Sequence, residues 1–324
     1  MEVLLSSPRG FCAGVVRAID IVERCLLQFG PPIYVRHEIV HNPHVVIGLR
    51  QKGAVFVEEV DDVPPGQTII FAAHGVSPVV RAAAKARNLR VIDATCPLVT
   101  KVHLEAIHAA RQGYTIILIG HRGHDEVIGT MGEAPAHIIL IETAQEAMSV
   151  QVSDPDMVMA LTQTTLSVDD TADILKALRT RFPNLATSRK DDICYATSNR
   201  QRALKAIAQE VDMVLVIGAE NSSNCNRLRE LAADAGLPAH LISDPHDINP
   251  AWLEGIGCVG ITSGASTPEP LVQAVVAALA PRAVRTIAVA EENVTFSLPR
   301  ELRQRTVLPI SRTASPPPHP SHQS

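Results

Sequence analysis

Apolar and polar positions along the chain follow a pattern that recurs three times. Runs such as IIFAA, TIILIG and MVLVIG are apolar at every position, without alternation. Strands covered on both faces read this way, so these runs predict short strands of parallel sheets. Helix-like stretches lie between them, among them AGVVRAIDIVERCLL, PLVTKVHLEAIHAA and YATSNRQRALKAIAQ. The apolar runs end in polar clusters. PPIYVRHEIVH leads to His41, Asn42 and His44, YTIILIGHRGH to His121, His124 and Glu126, and DMVLVIGAENSS to Asn221, Ser222, Ser223 and Asn224. A second run in each third does the same, presenting His74 and Ser77, then Thr162, Gln163, Thr164 and Thr165, then Ser263 and Ser266. Ligands of parallel sheets bind beyond the carboxyl ends of the strands, where all six clusters fall. One such loop alone would be an ordinary strand-to-helix turn.

Three cysteines keep step with this pattern. Cys12 follows VLLSSPRGF, Cys96 follows RVIDAT and Cys194 follows SRKDDI, at intervals of 84 and 98 residues. Each precedes a helix-like stretch. Three thiols delivered by three units to strand-to-helix turns can meet at one point, which suggests a metal centre with one coordination position left open. The other cysteines break the register. Cys25 lies at helical spacing with Ile21 and Val22 and reads as a core thiol. Cys258, in GIGCVGIT, reads as a buried strand residue, and Cys225 sits in a polar loop out of step with the other three.

Composition narrows the class. The 324 residues suffice for a large core, and 46% are hydrophobic, so the chain is globular. A net charge of −5, the absence of Lys/Arg runs and 3% aromatic residues argue against a nucleic-acid partner. No apolar stretch reaches the ~18 residues of a membrane span. MEVLLSSPRGFC has no basic region followed by a long apolar one, so no signal peptide is expected. Six cysteines without such a signal point to the reducing cytoplasm. The expected units are residues 13–96, 97–193 and 194–282, the last joined by the N-terminal strand 1–12. A C-terminal extension, 283–311, is expected to pack on the core, and the Pro/Ser/His-rich end, 312–324, to be disordered.

The chemistry of the centre follows from spacing. Zinc accepts three thiolates and a His, but its ligands usually come in close pairs such as CxxC, and there is none here. Cysteines about ninety residues apart suit an iron–sulfur cluster held between units. With three ligands instead of four, one iron keeps an exchangeable position and can act as a Lewis acid. There is no GxxxxGK[ST] loop. Histidines, hydroxyls, amides and helix N-termini can still hold a compact anion such as diphosphate, and His41, His74, His124, Ser222, Ser223, Asn224 and Ser266 supply that mixture. Glu126 is the one obvious carboxylate in these clusters, and a carboxylic acid there could deliver protons.

SPRGFCAGVVRAI, VRHEIVHNPHVV, AAHGVSP, DATCPLVTKVH, IGHRGHDEVIGTMGE, TQTTLSVDDT, RKDDICYATSNRQ, ENSSNCNRL and GASTPE, in this order, closely resemble the 4-hydroxy-3-methylbut-2-enyl diphosphate reductase family. The resemblance runs from the first strand to EENVTFSLPRELR. It implies an α/β fold of three pseudo-threefold-related units with parallel sheets around a central iron–sulfur cavity. It also implies a 4Fe-4S cluster on Cys12, Cys96 and Cys194, found as 3Fe-4S once the open iron is lost. The diphosphate ligands would be His41, His74, His124, Ser222, Ser223, Asn224 and Ser266, with Thr164 beside the substrate hydroxyl and Glu126 as the acid. The implied reaction is reductive dehydroxylation of (E)-4-hydroxy-3-methylbut-2-enyl diphosphate to isopentenyl and dimethylallyl diphosphate, using two single electrons. No GxGxxG fingerprint follows a strand, so the electrons would come from an external ferredoxin or flavodoxin. Asp125, Glu220 and Cys225 stand where the family pattern leads one to expect Pro, Lys and Ser. The two acidic residues would weaken an anion site. A non-redox hydratase or dehydratase, and a non-enzymatic iron–sulfur sensor, fit part of the same residue set.

Overall fold

A computed structural model describes residues 1–188 and 191–303. The expected disordered end, and residues 304–311 of the expected C-terminal extension, lie outside the described residues. Among the described residues the strands form three sheets, parallel throughout. One sheet holds β2 (Ile33–Arg36), β3 (Ala54–Val57), β4 (Thr68–Phe71) and β5 (Arg90–Asp93) in the order β3-β2-β4-β5. The next holds β6 (Thr115–Ile119), β7 (Ile138–Ile141), β8 (Val158–Thr162) and β9 (Ala186–Thr187) in the order β7-β6-β8-β9. The third contains β10 (Met213–Ile217), β11 (Ala239–Ile242), β12 (Cys258–Ser263), the N-terminal β1 (Glu2–Ser7) and β13 (Val284–Ala288), in the order β11-β10-β12-β1-β13. The first four positions of this order match the other two sheets, with β1 in the place of β5 and β9. That match is the pseudo-threefold repeat. The strand before each of Cys12, Cys96 and Cys194 is therefore the fourth of its sheet.

Helices cover the sheets, which is why the strands are apolar on both faces. They are α1 (Ala13–Phe29), α2 (Pro43–Gln51), α3 (Pro78–Ala86), α4 (Pro97–Arg111), α5 (Asp125–Glu133), α6 (Ala144–Ser149), α7 (Val168–Arg181), α8 (Tyr195–Ile207), α9 (Ser223–Asp234) and α10 (Glu269–Leu279). All five residues of β10 and the four of β4 are buried, as are Ile116 to Ile119 of β6. Among the described residues no helix is long and apolar enough to cross a membrane. Cys25 is buried in the α1 core, as expected. Cys258 is only half-buried, because it begins β12 at the surface end, where its N–H donates to Asp212. The strand before Cys194 is two residues long, since SRKDDI offers no apolar run to extend it.

A buried ion pair ties the C-terminal segment to the centre. Arg200 on α8 is fully buried and donates to Gly10 O (2.6 Å), to Ala196 O (2.9 Å) and to the Glu292 carboxylate (3.1 Å). Gly10 has φ 71° and its N–H donates to Ser263 Oγ, so Arg200 and β12 together fix the turn that leads to Cys12. Removing one partner of a buried pair leaves the other charge uncompensated. Arg200→Ala is expected to cost about 3–5 kcal/mol, read as a lowered urea midpoint. An unchanged midpoint would mean that the pair does not hold the turn.

Candidate active site

The six loops keep a common reach. His41, His124 and Ser222 each lie five residues past the end of β2, β6 and β10. His74 and Ser266 each lie three residues past β4 and β12. Cys12, Cys96 and Cys194 are the N-cap residues of α1, α4 and α8. All twelve candidate residues, the three cysteines with His41, His74, His124, Glu126, Thr164, Ser222, Ser223, Asn224 and Ser266, line one central cavity. Not every polar residue of the loops reaches it. His44 turns outward to Ser243 O, Ser77 caps α3, Ser263 holds Gly10, and His121 lines a separate depression.

The three sulfurs sit in a setting built for a cation. Burial pushes the Cys96 thiol up to about 12, and the nearby Cys12 and Cys194 add to the rise against hydrogen bonds from the first turn of α4. Burial pushes Cys194 up to about 11, again with help from Cys12. Burial and a neighbouring cysteine oppose the ionisation of Cys96 and Cys194, which stay protonated unless a metal replaces the protons. Helix N-termini and polar neighbours then favour the thiolate forms. Thr197 supplies such partners, with its N–H 3.4 Å and its Oγ1 3.2 Å from Cys194 Sγ. A Cβ on Gly14 would lie 2.9 Å from Cys96 Sγ, so only glycine lets α1 approach this closely. The donor set thus fits an iron–sulfur group. Sequence reasoning missed Thr197 and Gly14; the Ala-Gly pair after Cys12 was the available signal for the second.

The three histidines form a second cluster. His41 and His74 stack with ring centroids 4.1 Å apart, and His124 stands edge-on at 5.7 and 5.9 Å. Burial, then the neighbouring His41 charge, lowers His124 to about 4, with Asp125 opposing. Burial also drives His74 well below the usual imidazole range, helped by His41 and His124. The Glu126 N–H donates to His124 Nδ1, so the neutral ring carries its proton on Nε2. Two nitrogens of the cavity lining, His74 Nδ1 and Asn224 Nδ2, are buried and unpaired. Asn224 uses its Oδ1 on Ala265 N–H, and Ser222 caps α9 without a side-chain bond. Unpaired buried donors beside a helix N-terminus call for an anionic acceptor.

Glu126 is buried on the first turn of α5. Its Oε1 accepts from Thr164 N–H at 2.6 Å and its Oε2 from Thr164 Oγ1 at 3.0 Å. Burial raises its carboxyl to about 7, and Asp192 adds to this against the Thr164 bonds. It therefore holds a proton near neutrality, as a general acid must. Asp125 faces the histidines, and its Oδ1 lies 2.9 Å from His37 Nδ1. Glu220 is exposed and does not line the cavity, and Cys225 is wedged behind it, where a Cβ on either Gly218 or Gly264 would clash with its sulfur. Valine, leucine and alanine side chains, Val15, Val40, Ala73, Leu98 and Val99, complete the wall and suit a short hydrocarbon.

The chain is similar to known proteins over most of its length. The family described as LytB protein matches residues 3–280. The chain is 57% identical over 305 residues to a 4-hydroxy-3-methylbut-2-enyl diphosphate reductase of Aromatoleum aromaticum, covering 93% of this chain and 98% of that one. It is likewise 57% identical over 306 residues to the protein of the same name from Mycolicibacterium paratuberculosis, covering 93% and 92%. The solved E-1-hydroxy-2-methyl-but-2-enyl-4-diphosphate reductase of Plasmodium falciparum superposes with a TM-score of 0.90 at 42% identity, covering 93% of this chain and 96% of that one. The match to the LytB pattern spans nearly all the described residues, and the chain belongs to the LytB protein family.

Proposed function

We propose that the chain reduces (E)-4-hydroxy-3-methylbut-2-enyl diphosphate to isopentenyl and dimethylallyl diphosphate. One C–O bond breaks, two electrons and two protons enter, and water leaves. The observation that carries this reading is one cavity lined by three cysteine thiols, a protonated carboxyl and unpaired donors suited to an anion. The names of the relatives point to the same substrate.

Cys12, Cys96 and Cys194 would hold a 4Fe-4S cluster, or 3Fe-4S where the iron lacking a protein ligand is lost. Such a cluster supplies single electrons and a Lewis-acidic position. The chain's own groups do the rest. His41, His74 and His124, with Ser222, Ser223, Asn224 and Ser266, bind the diphosphate. Thr164 orients the substrate hydroxyl and keeps Glu126 in place. Glu126 delivers protons to the departing oxygen, and the apolar wall excludes water from the carbon chain. No nicotinamide or flavin fingerprint is present, so a ferredoxin or flavodoxin donates the electrons. Six free cysteines suit a reducing cytoplasm. Iron and sulfide counting on anaerobically purified protein tests the cluster. A content near four of each, with a spectrum that changes on adding substrate, supports the reading, and a zinc-only protein overturns it.

The histidines give a further expected result. His41→Ala or His74→Ala should weaken diphosphate binding by about 1.5–3 kcal/mol per charged hydrogen bond, with the cluster spectrum intact. Because burial leaves His74 and His124 neutral, an arriving anion raises their pKa and draws in protons. Wild-type affinity for inorganic diphosphate should therefore rise as pH falls from 8 to 6, measured by calorimetry. Equal affinity in wild type and both variants would place the anion elsewhere.

A further inference from the structure

We propose that His103 is a positioning residue for proton delivery by Glu126: through Glu133 it fixes α5, the helix that carries Glu126 on its first turn. The inference rests on the reading of Glu126 as the acid. By its own sequence α5 is a weak helix, since DEVIGTMGE holds two glycines and ends on a carboxylate. Glycine disfavours helix, and a negative charge in the last turn opposes the helix dipole. A short helix of this kind depends on what grips it. Glu133, its last residue, is gripped twice. Arg81 on α3 donates to Glu133 Oε1 at 2.7 Å, and His103 Nδ1 on α4 lies 2.9 Å from the same oxygen. The side chains of His103 and Glu133 are 4% and 5% exposed.

The glycines let this clamp close. A Cβ on Gly129 would lie 3.3 Å from His103 Cε1 and Nε2, and a Cβ on Gly75, next to His74, would lie 3.0 Å from Cε1. A Cβ on Gly132 would clash with that of Ser77, the N-cap residue of α3. The His103 ring thus stands between α5 and the loop that carries His74, on the helix that Cys96 begins. Burial lowers its pKa against the opposing charge of Glu133, so the ring is neutral and carries its proton on Nδ1, facing the carboxylate. Its Nε2 is buried without a partner. Packing alone would be better served by an apolar side chain, which leaves no nitrogen bare. What histidine adds here is the Nδ1–H donated to Glu133.

The test is a double-mutant cycle in anaerobic, cluster-loaded protein with a chemical reductant, reading kcat, KM and iron content. His103→Leu should keep the iron and lower kcat by about 10²-fold, the scale of a misplaced reacting group, with KM changed less. In the Glu126→Gln background the same change should cost little more, because a lost acid no longer needs placing. His103→Asn keeps a donor at the place of Nδ1 and should restore most of kcat. Where His103→Leu fails to hold iron, Arg81→Met, at a part-exposed side chain, takes its place in the cycle, with a several-fold loss expected only where Glu126 is present. An unchanged kcat, or equal losses in both backgrounds, would overturn the proposal and leave Glu126 as the acid. Near-normal turnover of Glu126→Gln would overturn the acid reading itself, and this proposal with it.

Discussion

Replacing Cys12, Cys96 or Cys194 by Ser is expected to remove most of the bound iron and the brown colour, and to abolish turnover. Each cysteine is the N-cap residue of a different helix and lines the same cavity, so no neighbouring thiol can substitute. Cys25 and Cys225 are buried in packing, and Cys258 lies at the surface end of β12. Their Ser variants should keep the iron. A serine hydroxyl is a poor replacement for a thiolate toward iron, and with two thiolates the cluster loses a third of its protein ligands. Iron and sulfide analysis of the six variants under anaerobic conditions checks this. An intact, active cluster in Cys96→Ser would remove that residue from the ligand set.

The second large effect lies at Glu126. Gln keeps the shape of Glu and can accept from Thr164 N–H, but it has no carboxylic proton. Glu126→Gln should retain the cluster and substrate binding while turning over about 10²–10⁴-fold more slowly, if general acid catalysis is what is lost. The pH profile gives an independent reading. A carboxyl raised to about 7 is protonated below that pH and loses its proton above it. Wild-type turnover should therefore fall as pH rises through about 7, and the variant should lack this limb. A loss of only a few-fold, with the limb retained, would reduce Glu126 to a wall residue.

Much of this site was legible in the sequence because parallel strands bury both faces and stop at polar loops. IIFAA, TIILIG and MVLVIG became β4, β6 and β10, and His74, His124 and Ser222 follow them at nearly fixed distances. The cysteines were legible because each occupies the same position, before a helix. Other features depend on contacts between distant segments, which periodicity does not record. The pairing of His37 with Asp125 spans 88 residues, and that of Arg200 with Glu292 spans 92. The closeness of α1 to Cys96 needed the packing around Gly14. Cys258 was expected to be buried from its apolar neighbours, but a strand's first residue takes its exposure from the edge it begins at. Asp125 was expected only to oppose an anion, yet its carboxylate is already engaged by His37.

The most direct test of the account is an anaerobic single-turnover reaction of the cluster-loaded protein with (E)-4-hydroxy-3-methylbut-2-enyl diphosphate, with and without a strong one-electron reductant, and chromatography of the products. The account predicts isopentenyl and dimethylallyl diphosphate only when the reductant is present. Product formed without reductant, or substrate unchanged with it, would contradict the assignment of a reductive dehydroxylation to this cavity.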